Sequence, residues 1–248
     1  VTVDMEVYRQ RKYNARFEWG PEGVRALAPV SDVIVILDVL SFTTCVDVVV
    51  GRQGVVFPYL YKDGTAAEYA LRKKALLAGN RGEPLSLSPS SLAAIQERTR
   101  IVLPSPNGAT CSFIANDHAC TVIAACLRNA AAVARFVRDT GGVVSVIASG
   151  ERWPDGSLRP CFEDLAAAGA LLSQLEGYRL SPEAQYAAAA YESSQRRLRQ
   201  MLMESSSGQE LIANGYSEDV EIAAQLNASQ VIPILNDEAA YVAANARH

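Results

Sequence analysis

The chain has 248 residues, 49% of them hydrophobic and 20% charged, with a formal net charge of -4 at pH 7. A globular protein of this size buries a sizeable core without disulfides or structural metal. Its 23 basic residues are scattered among 27 acidic ones, which leaves no electrostatic footprint for nucleic acid. The cysteines (Cys45, Cys111, Cys120, Cys126 and Cys161) are odd in number and contain no C-x-x-C pair, which argues against a disulfide framework or a zinc ribbon.

In chain order, Val1 to Arg11 mixes acids, bases and apolar residues and has no signal-peptide core. Strand-length apolar runs follow at Val33 to Leu37, Val55 to Leu60, Arg100 to Leu103, Thr121 to Ala125, Val143 to Ala148 and Val231 to Leu235. Most are rich in Val and Ile without strict alternation, as in strands covered on both faces. Helical spacing lies between them at Thr65 to Ala78, Asn129 to Asp139 and Phe162 to Leu175. Strand and helix alternate, so the expectation is a three-layer α/β/α fold with a largely parallel sheet, open to division into two interleaved α/β subdomains. Ser181-Pro182-Glu183 reads as a helix start, with a capping Ser, Pro at the first position and an acid near the positive end. One long helix is expected over Ala184 to Met203, broken by Ser205-Ser206-Ser207-Gly208, with a shorter one from Ser217. Residues 1–248 read as a single unit, with a helix-rich subdomain at about 181–230 that no linker delimits. The longest apolar stretch, Val33 to Leu40, is far short of the roughly 20 residues a bilayer span takes, so no membrane segment and a cytoplasmic location are expected.

Chemistry is suggested where strands end, because ligands of parallel α/β sheets bind outside the carboxyl ends of the strands. Asp38 ends the first apolar run and precedes Ser41, Thr43 and Thr44. A carboxylate there can hold a divalent cation or attack phosphorus, or it can simply cap the next helix. Pro104-Ser105-Pro106-Asn107-Gly108 follows another strand, and its backbone N–H groups can cradle an oxyanion or form an ordinary turn. Arg128 can bind phosphate or sulfonate bidentately, while Asn129 is a natural N-cap for the helix after it. A polar loop from Gly150 carries Asp155 and Arg159 and ends in Glu163-Asp164 at a helix start. Those two acids complement the helix macrodipole, and with a third carboxylate they would make an oxygen-rich Mg²⁺ site.

Counting removes several alternatives. No cysteine has an Arg six positions later, as a cysteine-dependent phosphatase requires, and His118 and His248 are too few for multi-histidine chemistry. There is no G-x-x-x-x-G-K-[ST] loop. Leu40 stands where a haloacid-dehalogenase-type phosphatase needs its second Asp.

An ordered set of motifs carries a resemblance. It comprises Asp38-Val39-Leu40 with Thr43-Thr44, Asn107-Gly108, Asn129-Ala130, Asp155-Gly156-Ser157-Leu158-Arg159-Pro160, Glu163-Asp164-Leu165 with Gly169, and Ser181-Pro182-Glu183-Ala184. Ser207-Gly208-Gln209-Glu210-Leu211, Asp219-Val220 and Val231-Ile232-Pro233 complete it. From about Val33 to nearly its end, the chain resembles the 2-phosphosulfolactate phosphatase family. The resemblance implies Mg²⁺-dependent hydrolysis of a phosphate ester on a small sulfonated, carboxylated acid. It further implies Asp38, Glu163 and Asp164 as catalytic and metal-binding acids. Thr43, Thr44, Asn107, Gly108, Arg128, Asn129, Gly150 and Arg159 would be substrate contacts, and a homo-oligomer is compatible with it. Three positions depart from the family pattern: Ser41 where Arg is usual, Leu87-Ser88-Pro89 for Asn-Ser-Pro, and Ala109 for Thr. Ser cannot replace the charge and fork of Arg, so a non-catalytic relative that binds a small anion is the second reading. A hydrolase using the same acids on a non-phosphate ester is the third.

Overall fold

The structure is a computed structural model that describes residues 5–60 and 64–244. His248 and the first four residues of the amino-terminal stretch lie outside the described residues. The chain runs β1 (Ala15–Trp19), α1 (Gly20–Leu27), β2 (Val33–Leu37), α2 (Phe42–Gly51), β3 (Val55–Tyr59), α3 (Gly64–Lys73), β4 (Leu76–Leu77) and α4 (Pro89–Leu92). It continues with β5 (Arg100–Pro104), α5 (Gly108–Asn116), β6 (Thr121–Ala125), α6 (Ala130–Thr140), β7 (Val144–Ala148), β8 (Glu151–Arg152), β9 (Leu158–Arg159) and α7 (Phe162–Leu172). Four helices, α8 (Pro182–Ser194), α9 (Leu198–Glu204), α10 (Ser206–Ala213) and α11 (Ser217–Ala223), precede β10 (Pro233–Leu235) and β11 (Tyr241–Ala243).

Among the described residues the main sheet has nine strands in the order β1-β7-β2-β6-β10-β11-β3-β5-β4. On one side β1, β7, β2 and β6 are parallel, and on the other β3, β5 and β4 are parallel. The antiparallel hairpin β10–β11 joins the two groups and is antiparallel to both neighbours, so the groups run in opposite directions. The expected α/β/α layering follows from the uniform burial of β2. Val33, Val35 and Leu37 pack with Val133 and Val137 of α6 and Leu171 of α7, while Ile34 and Ile36 face α1 and α5. Apolar residues on both faces are the reason the strand shows no alternation.

The two groups exchange helices. Cys45, Val46 and Val49 of α2, the helix after β2, pack on Val56, Ile101 and Leu103 of β3 and β5. Cys111 and Ala115 of α5, the helix after β5, pack on Ile34, Ile36, Val122 and Ile147 of β2, β6 and β7. The chain therefore crosses over where β2 and β5 end, which brings those two ends together. Tyr241 of β11 is buried at this crossing, edge-on to Phe42 at 6.2 Å and sharing a 2.6 Å hydrogen bond with the Ser112 hydroxyl.

Local chemistry changes several expected boundaries. The helix expected over Thr65 to Ala78 stops at Lys73, because Lys74 takes a positive φ of 51° and Leu76–Leu77 pairs with β5 as an edge strand. The helix expected over Ala184 to Met203 is interrupted at Gln195–Arg197, just after Ser193 and Ser194 turn their hydroxyls back onto the carbonyls of Ala190 and Tyr191. Ser181 caps α8 through the Ala184 N–H at 3.1 Å, as its position suggests. Asn129 does not cap α6 with its side chain. The amide instead accepts from the Cys126 N–H, and Asn227 from a distant loop caps the Ala131 N–H at 2.9 Å. Strand β1 escapes the sequence reading because Arg16 and Glu18 interrupt its apolar residues.

Helices α7 and α8 lie in close contact because Gly169 has no side chain. A Cβ at that position would sit 2.1 Å from the Ala187 carbonyl oxygen. Gly169→Ala is therefore expected to lower stability by about 1–3 kcal/mol, since backbone must move to admit the methyl, and urea unfolding measures the loss.

Candidate active site

The apolar run of β2 delivers Asp38 to the point where the strand gives way to α2, and hydroxyls fold the turn. The Asp38 N–H donates to Thr43 Oγ1 at 3.0 Å, the Thr43 N–H donates to the Asp38 carbonyl at 2.8 Å, and Thr44 Oγ1 donates to the Val39 carbonyl at 2.7 Å. Both threonines are fully buried, and these bonds build the loop. Asp38 Oδ2 accepts from the Gly108 N–H at 2.7 Å and from the Ser105 hydroxyl at 3.2 Å. The Asn107-Gly108 turn thus cradles an oxyanion, and that oxyanion is the carboxylate of Asp38. Only glycine permits the approach, because a Cβ at residue 108 would lie 2.4 Å from Phe42 Cδ1 and 2.8 Å from Asp38 Oδ2.

Asp164, in the first turn of α7, clasps two strand ends. Its Oδ1 accepts from the Val39 N–H and its Oδ2 from the Gly150 N–H, each at 2.8 Å. Gly150 has a φ of +67°, and a Cβ there would meet Leu158 at 2.6 Å. Glu163, one residue earlier, is 1% exposed, and neither carboxylate oxygen has a hydrogen-bond partner. Glu151, directly after Gly150, accepts from Asn107 Nδ2 at 3.1 Å. Asn107 Oδ1 in turn accepts from Arg152 Nε at 3.2 Å.

Burial and crowding move these acids in one direction. Asp38 is raised above the usual carboxylate range by burial, opposed by the bonds from Gly108 and Ser105 and reinforced by the charge of Glu163. Asp164 is raised by burial and then by Asp38 and Glu163. Glu151 is pushed up to about 8 by burial and then by Asp38 and Glu163, with Arg159 pulling the other way. A set of buried carboxylates within mutual electrostatic reach is poorly stable without a positive charge among them.

Of the remaining sequence candidates, Arg159 lies beside this cluster, donating to Ser207 Oγ at 3.1 Å with its guanidinium 5.8 Å above the Trp153 ring. Asp155 is exposed and closes a turn onto Ser157. Arg128 and Asn129 have other partners. Arg128 pairs with Asp47 Oδ2, further along α2, at 2.8 Å, and with Gln225, just past α11. Asn129 is fully buried and holds the Cys126 N–H and the carbonyls of Ala124 and Val231. Sequence reasoning passed over Ser105, Glu151 and Arg152. The available signal was position, since Ser105 directly follows β5 and Glu151 and Arg152 directly follow Gly150, already singled out.

Among the described residues no group of three or more His, Cys, Asp or Glu side chains is arranged to enclose a cation unaided. The orphaned oxygens of Glu163, with Asp38 in electrostatic reach, fit a hard cation that completes its shell with water and substrate oxygens.

Residues 21–238 match the family model described as 2-phosphosulpholactate phosphatase. The chain belongs to the 2-phosphosulfolactate phosphatase family. It is 32% identical over 214 residues to a protein of Gloeobacter violaceus named probable 2-phosphosulfolactate phosphatase, covering 82% of this chain and 87% of that one. A Gloeothece citriformis protein of the same name is 30% identical over 223 residues, covering 82% and 88%. One from a Synechococcus strain is 34% identical over 215 residues, covering 80% and 86%. Family membership makes the chain a phosphoric monoester hydrolase. In this phosphatase-family chain the acids at the ends of β2 and β7 and the start of α7 form one cluster. No helix among the described residues is long and apolar enough to cross a membrane.

Raised carboxylates give the stability a definite pH dependence. Between its ordinary value of 4.5 and about 8, Glu151 keeps a proton in the folded chain that the unfolded chain has released. The contribution is full below that window and is lost as pH rises through it. Metal-free protein is expected to melt lower at pH 8 than at pH 6, and Glu151→Gln to flatten the dependence. Thermal midpoints in chelating buffer measure both, and an unchanged slope in the variant would show that Glu151 does not titrate there.

Proposed function

We propose that the protein is a Mg²⁺-dependent phosphatase acting on the phosphate monoester of a small anionic acid, with 2-phosphosulfolactate as the substrate and sulfolactate and phosphate as products. The observation that carries this reading is Glu163, a buried carboxylate with both oxygens unpartnered beside three other acids. An unpaired buried charge costs on the order of several kcal/mol, and a divalent cation is the partner that offsets it. Glu163 and Asp38 would hold the metal. Asp164 keeps both oxygens on backbone N–H groups and holds their strands in place. When bound, Mg²⁺ supplies charge neutralisation of the phosphoryl oxygens.

The chain's own groups then have distinct tasks. Gly108 and Ser105 hold Asp38 in one orientation at the phosphoryl end, so its alignment costs nothing at the moment of reaction. Asn107 orients Glu151 at the rim, and Arg159 stands in reach of the same carboxylate. The names of the curated relatives support 2-phosphosulfolactate as the substrate. A cytoplasmic location is supported by the five cysteines, all free, in a fold that needs no disulfide.

Phosphate release from phosphorylated small acids, with and without Mg²⁺, tests the proposal. Metal-dependent release is expected, with Asp38→Asn lowering kcat by about 10³-fold or more while the far-ultraviolet dichroism is unchanged. An active Asp38→Asn enzyme removes Asp38 from the mechanism, and a folded wild-type chain that cleaves no phosphate ester favours the non-catalytic reading. Mg²⁺ is expected to raise the melting temperature of the wild-type chain. Glu163→Gln should abolish that shift, and a variant that keeps it would place the metal elsewhere.

A further inference from the structure

We propose that Arg81 is a specificity-determining residue that binds the substrate's second anionic group, the one remote from the phosphate; this role presupposes the phosphatase reading above. The cluster is lined by acids, so an acidic tail needs a cationic fork to hold it. Three other arginines near the site have partners of their own. Arg128 is held by Asp47 and Gln225. Arg152 bridges Asn107 and the carbonyls of Gly156 and Pro106. Arg159 leans on Ser207 and Trp153.

Arg81 differs in position. It comes from the loop between β4 and α4, and its Nη2 donates at 3.1 Å to the hydroxyl of Ser41, three residues after Asp38 in the same turn. Its Nη1 pairs with Asp219 of α11, and its guanidinium lies 5.2 Å from the Tyr216 ring centroid. Asp219 is fully buried but not devoted to this arginine. Its Oδ1 also accepts from the Ser88 hydroxyl at 2.7 Å, the Ser90 N–H at 3.0 Å and the Ser90 hydroxyl at 2.7 Å. Asp219 thus fixes one nitrogen of the guanidinium through Oδ2 while the serine donors hold Oδ1 in place. The side chain keeps 24% of its surface exposed, enough to meet a ligand. Held on Ser41, Asp219 and Tyr216, the planar fork is ordered before substrate arrives, so little entropy is lost on binding a carboxylate or sulfonate. If the ion pair merely tied the loop to α11, its removal would affect every substrate alike.

The test compares wild type, Arg81→Gln, Arg81→Lys and Ser41→Ala, each checked for an intact melting transition. The substrates are 2-phosphosulfolactate, which has an anionic tail, and phenyl phosphate, which has none. Calorimetric binding of sulfolactate adds a readout independent of turnover. Arg81→Gln is expected to raise KM for phosphosulfolactate about tenfold or more, to leave kcat within about threefold, and to weaken sulfolactate binding about tenfold or more, while phenyl phosphate kcat/KM stays within about threefold. Arg81→Lys should fall between, and Ser41→Ala, which only removes the orienting hydroxyl, should shift KM the same way by less. Equal losses on both substrates, an unchanged KM, or sulfolactate binding no tighter in wild type than in Arg81→Gln overturns the proposal. A wild type that cleaves neither ester defeats the phosphatase reading, and sulfolactate binding then still decides the role of Arg81.

Discussion

The Gly108 N–H donated to Asp38 Oδ2 ties together the two halves of this protein. It joins the end of β2 to the start of α5, and through them two parallel strand groups that run in opposite directions. The helix exchange that interlocks the groups requires those ends to meet, and the meeting is close enough that residue 108 must be glycine. Asp164 makes a second tie, from α7 to the backbone after β2 and β7. Asp38 and Asp164 are held by backbone donors, which do not rotate, so these two carboxylates are fixed before any ligand binds.

Rigidity of this kind is costly in stability. Burying Asp38, Glu151, Glu163 and Asp164 together raises the proton affinity of Asp38, Glu151 and Asp164 and leaves Glu163 without a donor. The compensation lies in the surrounding core, where β2 is apolar on both faces and α7 packs on α8 through alanines and Gly169. An excess of packing energy around a poorly satisfied polar centre is a common pattern at catalytic sites. It also explains why the helix-rich segment after α7 is more than an appendage: α8 supports the helix that carries Glu163 and Asp164, and α11 presents Asp219 to Arg81.

Much of the architecture was legible in local sequence. Val33–Leu37 and Thr121–Ala125 read as strands because their Val- and Ile-rich runs suit pleated, doubly covered surfaces. The capping chemistry of Ser181 placed the start of α8. Elements whose identity depends on a distant neighbour were not legible. Strand β1 is defined by its pairing with β7, and β4 by its pairing with β5. The break between α8 and α9 arises where serine hydroxyls compete for helical carbonyls, a choice that helical periodicity does not record.

The sequence by itself determined which acids stand at strand ends and helix starts: Asp38 after β2, and Glu163 with Asp164 at the opening of α7. Those positions follow from periodicity and end chemistry, which are properties of neighbouring residues. Tertiary structure alone decided what each side chain meets. It gave Asp164 to a backbone group 125 residues away in sequence, turned Arg128 onto Asp47, committed Asn129 to the core, brought Glu151 into the cluster and set Arg81 beside Ser41. Partnership of this kind depends on which remote segments pack together, and each is the sum of many weak contacts that no local motif encodes.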